Sequence, residues 1–222
     1  MRDALRRLTR PRTFGVRGGT GPVSEHWGWD RGTPIDRLYI EQFLETNRDA
    51  IRGRALEVKD DAYVRRFGGG LDRVDVLDVD GENPQATVFA DLASATAIAD
   101  GSYDCFVLTQ TLQYVHRVTD AVAHSARILA PGGTLLATMP ALSRVVVDRP
   151  TLVDYWRFTE ASCRLVFGDA FGEDEVEVTS YGNAVAGAAF LLGYAAEELS
   201  DRELTTHDPR FPVIVAVRAT RS

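Results

Sequence analysis

Apolar positions along this chain switch repeatedly between a helical and a strand-like spacing. Ile35, Leu38, Tyr39, Phe43 and Leu44 recur at helical intervals. That spacing predicts an amphipathic helix from about Pro34 to Arg48, with Thr33 as its cap and Pro34 as its first residue. Short apolar runs then alternate with helical patterns. Strands are expected at Arg54 to Val58, Arg73 to Asp78, Thr87 to Ala90, Tyr103 to Thr109 and Thr134 to Thr138, with helices near Tyr63 to Phe67 and over Val118 to Leu129. Beyond Pro140 a polar, aromatic loop from Leu142 to Phe158 leads into a helix from Thr159 to Phe167. A strand Glu175 to Tyr181, a helix Asn183 to Leu199 and a strand Pro212 to Ala219 complete the pattern. Near-continuous apolar strands such as Cys105-Phe106-Val107-Leu108 belong to a sheet covered on both faces. The chain is therefore expected to form a doubly wound α/β domain around a mainly parallel, seven-stranded sheet. Neither an internal repeat nor a low-complexity linker interrupts it.

Composition narrows this picture. With 222 residues, 45% of them hydrophobic, the chain can build one substantial core. A single domain over residues 34–222, preceded by a basic arm and cap over residues 1–33, accounts for its length. Within the arm, residues 1 to 17 carry Arg2, Arg6, Arg7, Arg10, Arg12 and Arg17 against Asp3 alone. It reads as a solvated extension, or as a lid over an anionic ligand or a docking surface for a partner. The formal charge of −7 and a pI near 5.1 argue against general affinity for nucleic acid or an anionic membrane surface. The longest nearly apolar run, Ala184 to Ala196, is too short to span a membrane and is expected as a buried helix. No apolar segment follows the N-terminal arginines as in a secretory signal, so a cytoplasmic protein is expected. Cys105 and Cys163 supply neither a disulfide framework nor a zinc set and are expected as reduced core residues; no metal is expected.

The candidate chemistry begins at the first strand. Ala55-Leu56-Glu57-Val58 ends in an acidic residue and a turn, the place where a nucleotide-type cofactor sits at the tip of the first parallel strand. A glycine-rich turn would let backbone approach such a ligand closely. Here the turn reads Lys59-Asp60-Asp61, and Lys59 is the sole lysine among 25 basic residues.

Taken in order, Glu57, Asp78 or Asp80, Ala90-Asp91-Leu92, Tyr103-Asp104-Cys105-Phe106-Val107-Leu108 and Leu129-Ala130-Pro131-Gly132-Gly133-Thr134-Leu135 resemble a class I S-adenosylmethionine-dependent methyltransferase. The resemblance covers about residues 50 to 140, and its glycine turn is where the chain departs from the family. It implies a Rossmann-like methyltransferase fold with S-adenosylmethionine as methyl donor and S-adenosylhomocysteine as product. An acid at the end of the second strand would accept from ribose hydroxyls, Asp80 being the first choice and Asp78 the second. Asp91 would accept from the adenine amino group, with Leu92 as an apolar wall; Glu57 would face the amino or ribose end, and Lys59 and Asp60 the methionine end. Thr109, Gln110 and Thr111 would line the sulfonium and the acceptor pocket. His116, an imidazole able to take a proton near neutrality, is a candidate base for a hydroxyl acceptor, as is Tyr155.

Two further segments resemble elements of a bacterial subgroup of methyltransferase-like proteins, many of them associated with glycan systems. Asp154-Tyr155-Trp156-Arg157-Phe158-Thr159 would stand near the substrate, where Tyr155, Trp156 and Arg157 could stack on a ring or meet an anionic group, or else anchor the next helix. Trp29 to Tyr39 would cover the pocket, with Arg31, Asp36, Arg37 and Tyr39 as candidates, or else serve simply as part of an amphipathic helix. The function implied is methylation, of an oxygen more than a nitrogen, on a small molecule or saccharide, as in natural product or glycan modification. A homodimer is compatible with it. The alternatives are a non-catalytic partner domain, for which the Lys59-Asp60-Asp61 turn argues, and a cofactor-retaining enzyme of another reaction such as a cyclisation.

Overall fold

A computed structural model describes residues 19–147 and 152–222. The arginines of segment 1–17 lie outside the described residues. Seven strands, β1 (Gly53–Val58), β2 (Leu71–Asp78), β3 (Val88–Phe89), β4 (Tyr103–Thr109), β5 (Leu129–Pro140), β6 (Val176–Tyr181) and β7 (Ile214–Thr220), form one sheet in the order β3-β2-β1-β4-β5-β7-β6. The first five pair in parallel, whereas β7 runs antiparallel to both β5 and β6, so the sheet is mixed.

Alternation inside the apolar strands decides which layer each side chain joins. Leu56, Phe106, Leu108, Leu135 and Val217 point to one face, where they meet α3 (Val118–Ile128) and α4 (Glu160–Phe171). Ala55, Cys105, Val107, Leu136 and Ala216 point to the other, against α1 (Ile35–Thr46), α2 (Ala62–Phe67) and α5 (Ala184–Leu192). Helix α1 buries Ile35, Tyr39, Ile40, Phe43 and Leu44 along one stripe, the spacing read from the sequence. Both cysteines are free thiols in this core. No helix among the described residues is long and apolar enough to cross a membrane.

Several boundaries differ from the sequence expectation, each for a local reason. Thr33 does not cap α1; its N–H and hydroxyl donate instead to Glu197 at 2.9 and 2.7 Å, and Pro34 stands at the cap with no side-chain bond. Strand β5 starts early because Leu129 already pairs with Tyr103, and the register then slips so that Thr134 faces Cys105. Helix α4 runs on to Phe171, where Gly172 ends it at φ +97°. The expected helix to Leu199 stops at Leu192, because Gly193 turns left-handed at φ +77° and its N–H closes on Phe190. A short helix α6 (Asp201–Thr205), not anticipated, is started by a capping box between Ser200 and Glu203.

The stop at Gly193 also seats the N-terminal segment, since Val23 and Ser24 donate their N–H groups to Leu192. A Cβ on Gly193 would stand 2.3 Å from the Ser24 carbonyl oxygen. Gly193→Ala is expected to lower unfolding stability by at least about 1–2 kcal/mol, the cost of a left-handed non-glycine backbone, in a urea melt. Stability unchanged from the parent chain would show that neither the conformation nor the close approach matters.

Candidate active-site cleft

The carboxyl ends of β1, β2, β4 and β5 open into a cleft of about 1190 Å³. This is the edge where ligands bind in doubly wound sheets, because the strands end there and the loops can diverge. Its two ends differ in charge.

At the β1 and β2 end the turn after Val58 keeps a glycine-type backbone without the glycine. Lys59 adopts φ +73°, donates its N–H to Leu77 O at 3.0 Å and accepts from the Asn83 amide at 2.8 Å. The chain reverses here and enters α2. Glu57, buried at the strand end, accepts from the N–H groups of Tyr63 at 3.2 Å and Val64 at 2.8 Å, so its carboxylate closes the first turn of that helix. Burial pushes the Glu57 carboxyl up to about 8 against the pull of those two donors, with Asp60 and Asp61 adding to the rise.

Asp78 ends β2 almost fully buried, with Asp80 N–H and the Asn83 amide donating to it at 3.0 and 2.6 Å and the Lys59 ammonium 3.2 Å away. Burial alone would raise its carboxyl, but these three partners hold it below the usual carboxylate range. Asp80 is different. Its side chain accepts from Glu82 N–H in a solvent-facing turn and does not line the cleft. Of the two candidates for the second-strand acid, only Asp78 faces the cavity. Asp91 lines it while accepting from Ala93 N–H at 2.9 Å, with Leu92 beside it, so its capping and cleft-facing positions coexist.

At the β4 and β5 end the backbone is strained. Gln110 has φ +45°, donates its N–H to Thr138 O at 2.8 Å and accepts from the Gln113 amide at 2.9 Å. Its own side-chain nitrogen is buried with no partner, as are Gln113 Oε1 and Thr138 Oγ1. Two of these residues, Gln110 and Gln113, line the cleft, and unpartnered polar atoms there are costly unless a ligand or water meets them. Thr109 and Thr111 stand beside them, and the His116 ring lies 5.2 Å from that of Tyr155.

The remaining expected residues divide. Arg157 lines the cleft, but its donors go to Asp154 at 2.5 and 2.9 Å and to the Arg144 and Trp156 carbonyls, so it fastens two loop segments together. Trp156 lies outside the lining, its indole N–H donating to Val115 O at 2.9 Å. Arg31 pairs with Glu198, and Tyr39 is buried with its hydroxyl on Leu204 O; neither reaches the cleft. The helix face of Tyr39 is its apolar stripe, which decides against a cover role.

Of the expected cover residues, Asp36 and Arg37 line the cleft, together with Trp27 and Trp29. Burial raises the Asp36 carboxyl, and Arg37 beside it opposes the rise. Trp27, Gln113 and Arg144 were not singled out from the sequence. Trp27 sits in a turn-rich stretch and Gln113 in the loop after β4, so position gave a hint for both. Arg144 had no signal.

Residues 74–137 match the model of a methyltransferase domain. The match spans β2 to β5 and begins beyond the Lys59 turn. No curated protein matches the chain. Among solved structures, the fold is similar to an S-adenosylmethionine dependent methyltransferase from Mesorhizobium loti, 14% identical, with 84% of this chain and 98% of that chain covered and a TM-score of 0.53. A SAM dependent methyltransferase from Archaeoglobus fulgidus is 10% identical over 83% and 94% of the two chains, with a TM-score of 0.53. The cyclase SpnF is 14% identical over 90% and 89%, with a TM-score of 0.52. At these identities the likeness is one of fold. The chain thus carries a segment that matches a methyltransferase domain and shares the fold of S-adenosylmethionine-dependent methyltransferases.

Proposed function

We propose that this chain transfers a methyl group from S-adenosylmethionine to an oxygen of a small molecule or glycan. The observation that carries the reading is the cleft itself: a buried acid at the end of β2, an acid-rich β1 and β2 end, and unpartnered buried amide atoms at the end of β4. These residues fit the donor. Asp78 would accept from ribose hydroxyls, Asp91 and Leu92 would meet the adenine, and the negative potential around Asp60, Asp78 and Asp91 favours a cationic ligand. When bound, the donor supplies an electrophilic methyl group. The chain's own part is to hold the acceptor in line with it, through Gln110, Thr111 and Gln113, under the aromatic cover of Trp27 and Trp29. His116, its ring 5.2 Å from that of Tyr155, would take the acceptor's proton.

Calorimetry with S-adenosylmethionine and S-adenosylhomocysteine tests the reading. Both are expected to bind, and Asp78→Ala is expected to weaken binding by about 1–3 kcal/mol, the loss of charge-assisted hydrogen bonds, while Asp80→Ala leaves it unchanged. A folded chain that binds neither ligand overturns the enzyme reading in favour of a non-catalytic domain. A product of unchanged mass would point to a rearrangement or cyclisation.

Lys59 draws on the lone pairs of Asp78 that a ribose would need. Lys59→Gly keeps the left-handed turn accessible and frees that oxygen, so S-adenosylhomocysteine should bind about three- to tenfold more tightly, the net worth of one ordinary hydrogen bond. Weaker binding in the same titration would show that the lysine is itself a ligand contact.

Glu57 sets a pH signature. Its carboxyl ionises near 4.5 when unfolded and about 8 when folded, so the native state holds the proton that the unfolded chain has lost. Stability is therefore expected to fall as pH rises from about 5 to 8, by a few kcal/mol at most, relative to Glu57→Gln. Parallel pH profiles of the two proteins in urea would contradict this.

A further inference from the structure

The cleft's cations are nearly all spent within the protein. Lys59 pairs with Asp78, Arg37 donates to the Tyr63 hydroxyl at 2.9 Å, Arg117 pairs with Asp120, and Arg157 is bidentate on Asp154. Arg144 is the exception among the described residues. Its guanidinium lies 3.8 Å from the centroid of the Trp27 ring, and no described carboxylate or carbonyl accepts from it. Its Nε is buried without a partner.

Stacking uses the flat face of a guanidinium and leaves its in-plane donors free. The in-plane edges of a guanidinium each carry two parallel donors, which match the two oxygens of a carboxylate or phosphate. The structure also invests in this position. Trp27 holds its ring there from a left-handed backbone, φ +54°, unusual for a bulky residue, and its indole N–H reaches Ser143 Oγ at 3.4 Å. The Arg144 carbonyl is fixed by Arg157 at 2.8 Å. A strained aromatic platform and an anchored backbone hold a cation whose buried donor is unmet.

Charge is divided along the cleft in the same sense. Asp60, Asp78 and Asp91 stand with Lys59 at the β1 and β2 end, where Arg117 also reaches the Ala93 carbonyl at 3.2 Å, while Arg144 and Arg157 stand with Asp154 at the other. Such a field draws a cationic donor to one end and an anion to the other.

We propose that Arg144, stacked on Trp27 in the wall of the cleft, binds a carboxylate or phosphate group of the acceptor. The word acceptor rests on the methyl-transfer reading above; the anion site does not. The full chain, labelled with nitrogen-15, is titrated with benzoate, inorganic phosphate and uncharged benzyl alcohol, with and without S-adenosylhomocysteine. Benzoate or phosphate is expected to shift the Arg144 Nε–H and Trp27 indole N–H resonances saturably, and benzyl alcohol to leave the Arg144 signal in place. Arg144→Gln, read through Trp27, should weaken the anion by about tenfold or more, as expected for loss of a charged donor, and keep S-adenosylhomocysteine affinity within about twofold. Arg144→Lys should retain phosphate better than benzoate, since a point charge lacks the fork.

Saturation by benzoate alone assigns a carboxylate acceptor, and by phosphate alone a phosphorylated one. No shift with either anion, or equal anion affinity in Arg144→Gln, overturns the proposal. Anion binding without S-adenosylhomocysteine binding would sink the methyl-transfer reading and leave the anion site standing. The reverse pattern sinks the anion site alone.

Discussion

The cleft depends on one backbone reversal, the left-handed residue at Lys59. It lets the chain leave β1 and enter α2 within a few residues, so that the Glu57 carboxylate meets the N–H groups of Tyr63 and Val64. It also brings the Lys59 carbonyl to Asn83 and its ammonium to Asp78. The tips of β1 and β2 are thus tied together by polar contacts at the floor of the cavity. Glycine would make this turn without steric strain. Lysine makes it with strain, and adds a positive charge beside the buried acid Asp78.

The opposite end is organised by a second fastening. Asp154 takes both arms of Arg157 and the Val146 N–H, and Arg157 in turn holds the Arg144 carbonyl. The N–H groups of Tyr155 and Trp156 rest on the Gln113 carbonyl at 2.8 and 3.3 Å, and Gln113 reaches back to Gln110. The loop after β4 and two neighbouring stretches of the loop after β5 are joined in this way around the end of β4. Aromatic side chains of the N-terminal segment close the cavity from above, held by the hydrogen bonds of Val23 and Ser24 to Leu192 and by the Thr33 contact with Glu197. Cover and floor therefore derive from different parts of the chain, and both are tied to the same sheet edge.

The sequence by itself determined the sheet and most of its layers. Apolar runs such as Cys105 to Leu108, bounded by turn formers, fit strands buried on both sides, and the stripe from Ile35 to Leu44 fits a helix with one dry face. Strand ends then located Glu57, Asp78, Asp91 and Gln110, because in such a sheet every parallel strand delivers its last residue to the same edge. Tertiary structure decided what local spacing does not encode. Which of Asp78 and Asp80 faces inward depends on where β2 ends and a solvent-facing turn begins. Tyr39 went to the core because its position on α1 is apolar-facing, and Arg157 became a fastener because Asp154 lies beside it, buried and in need of a cation. Arg144 carries no sequence signal at all: its setting is made by Trp27, more than a hundred residues away, and a contact at that separation exists only once the sheet has folded.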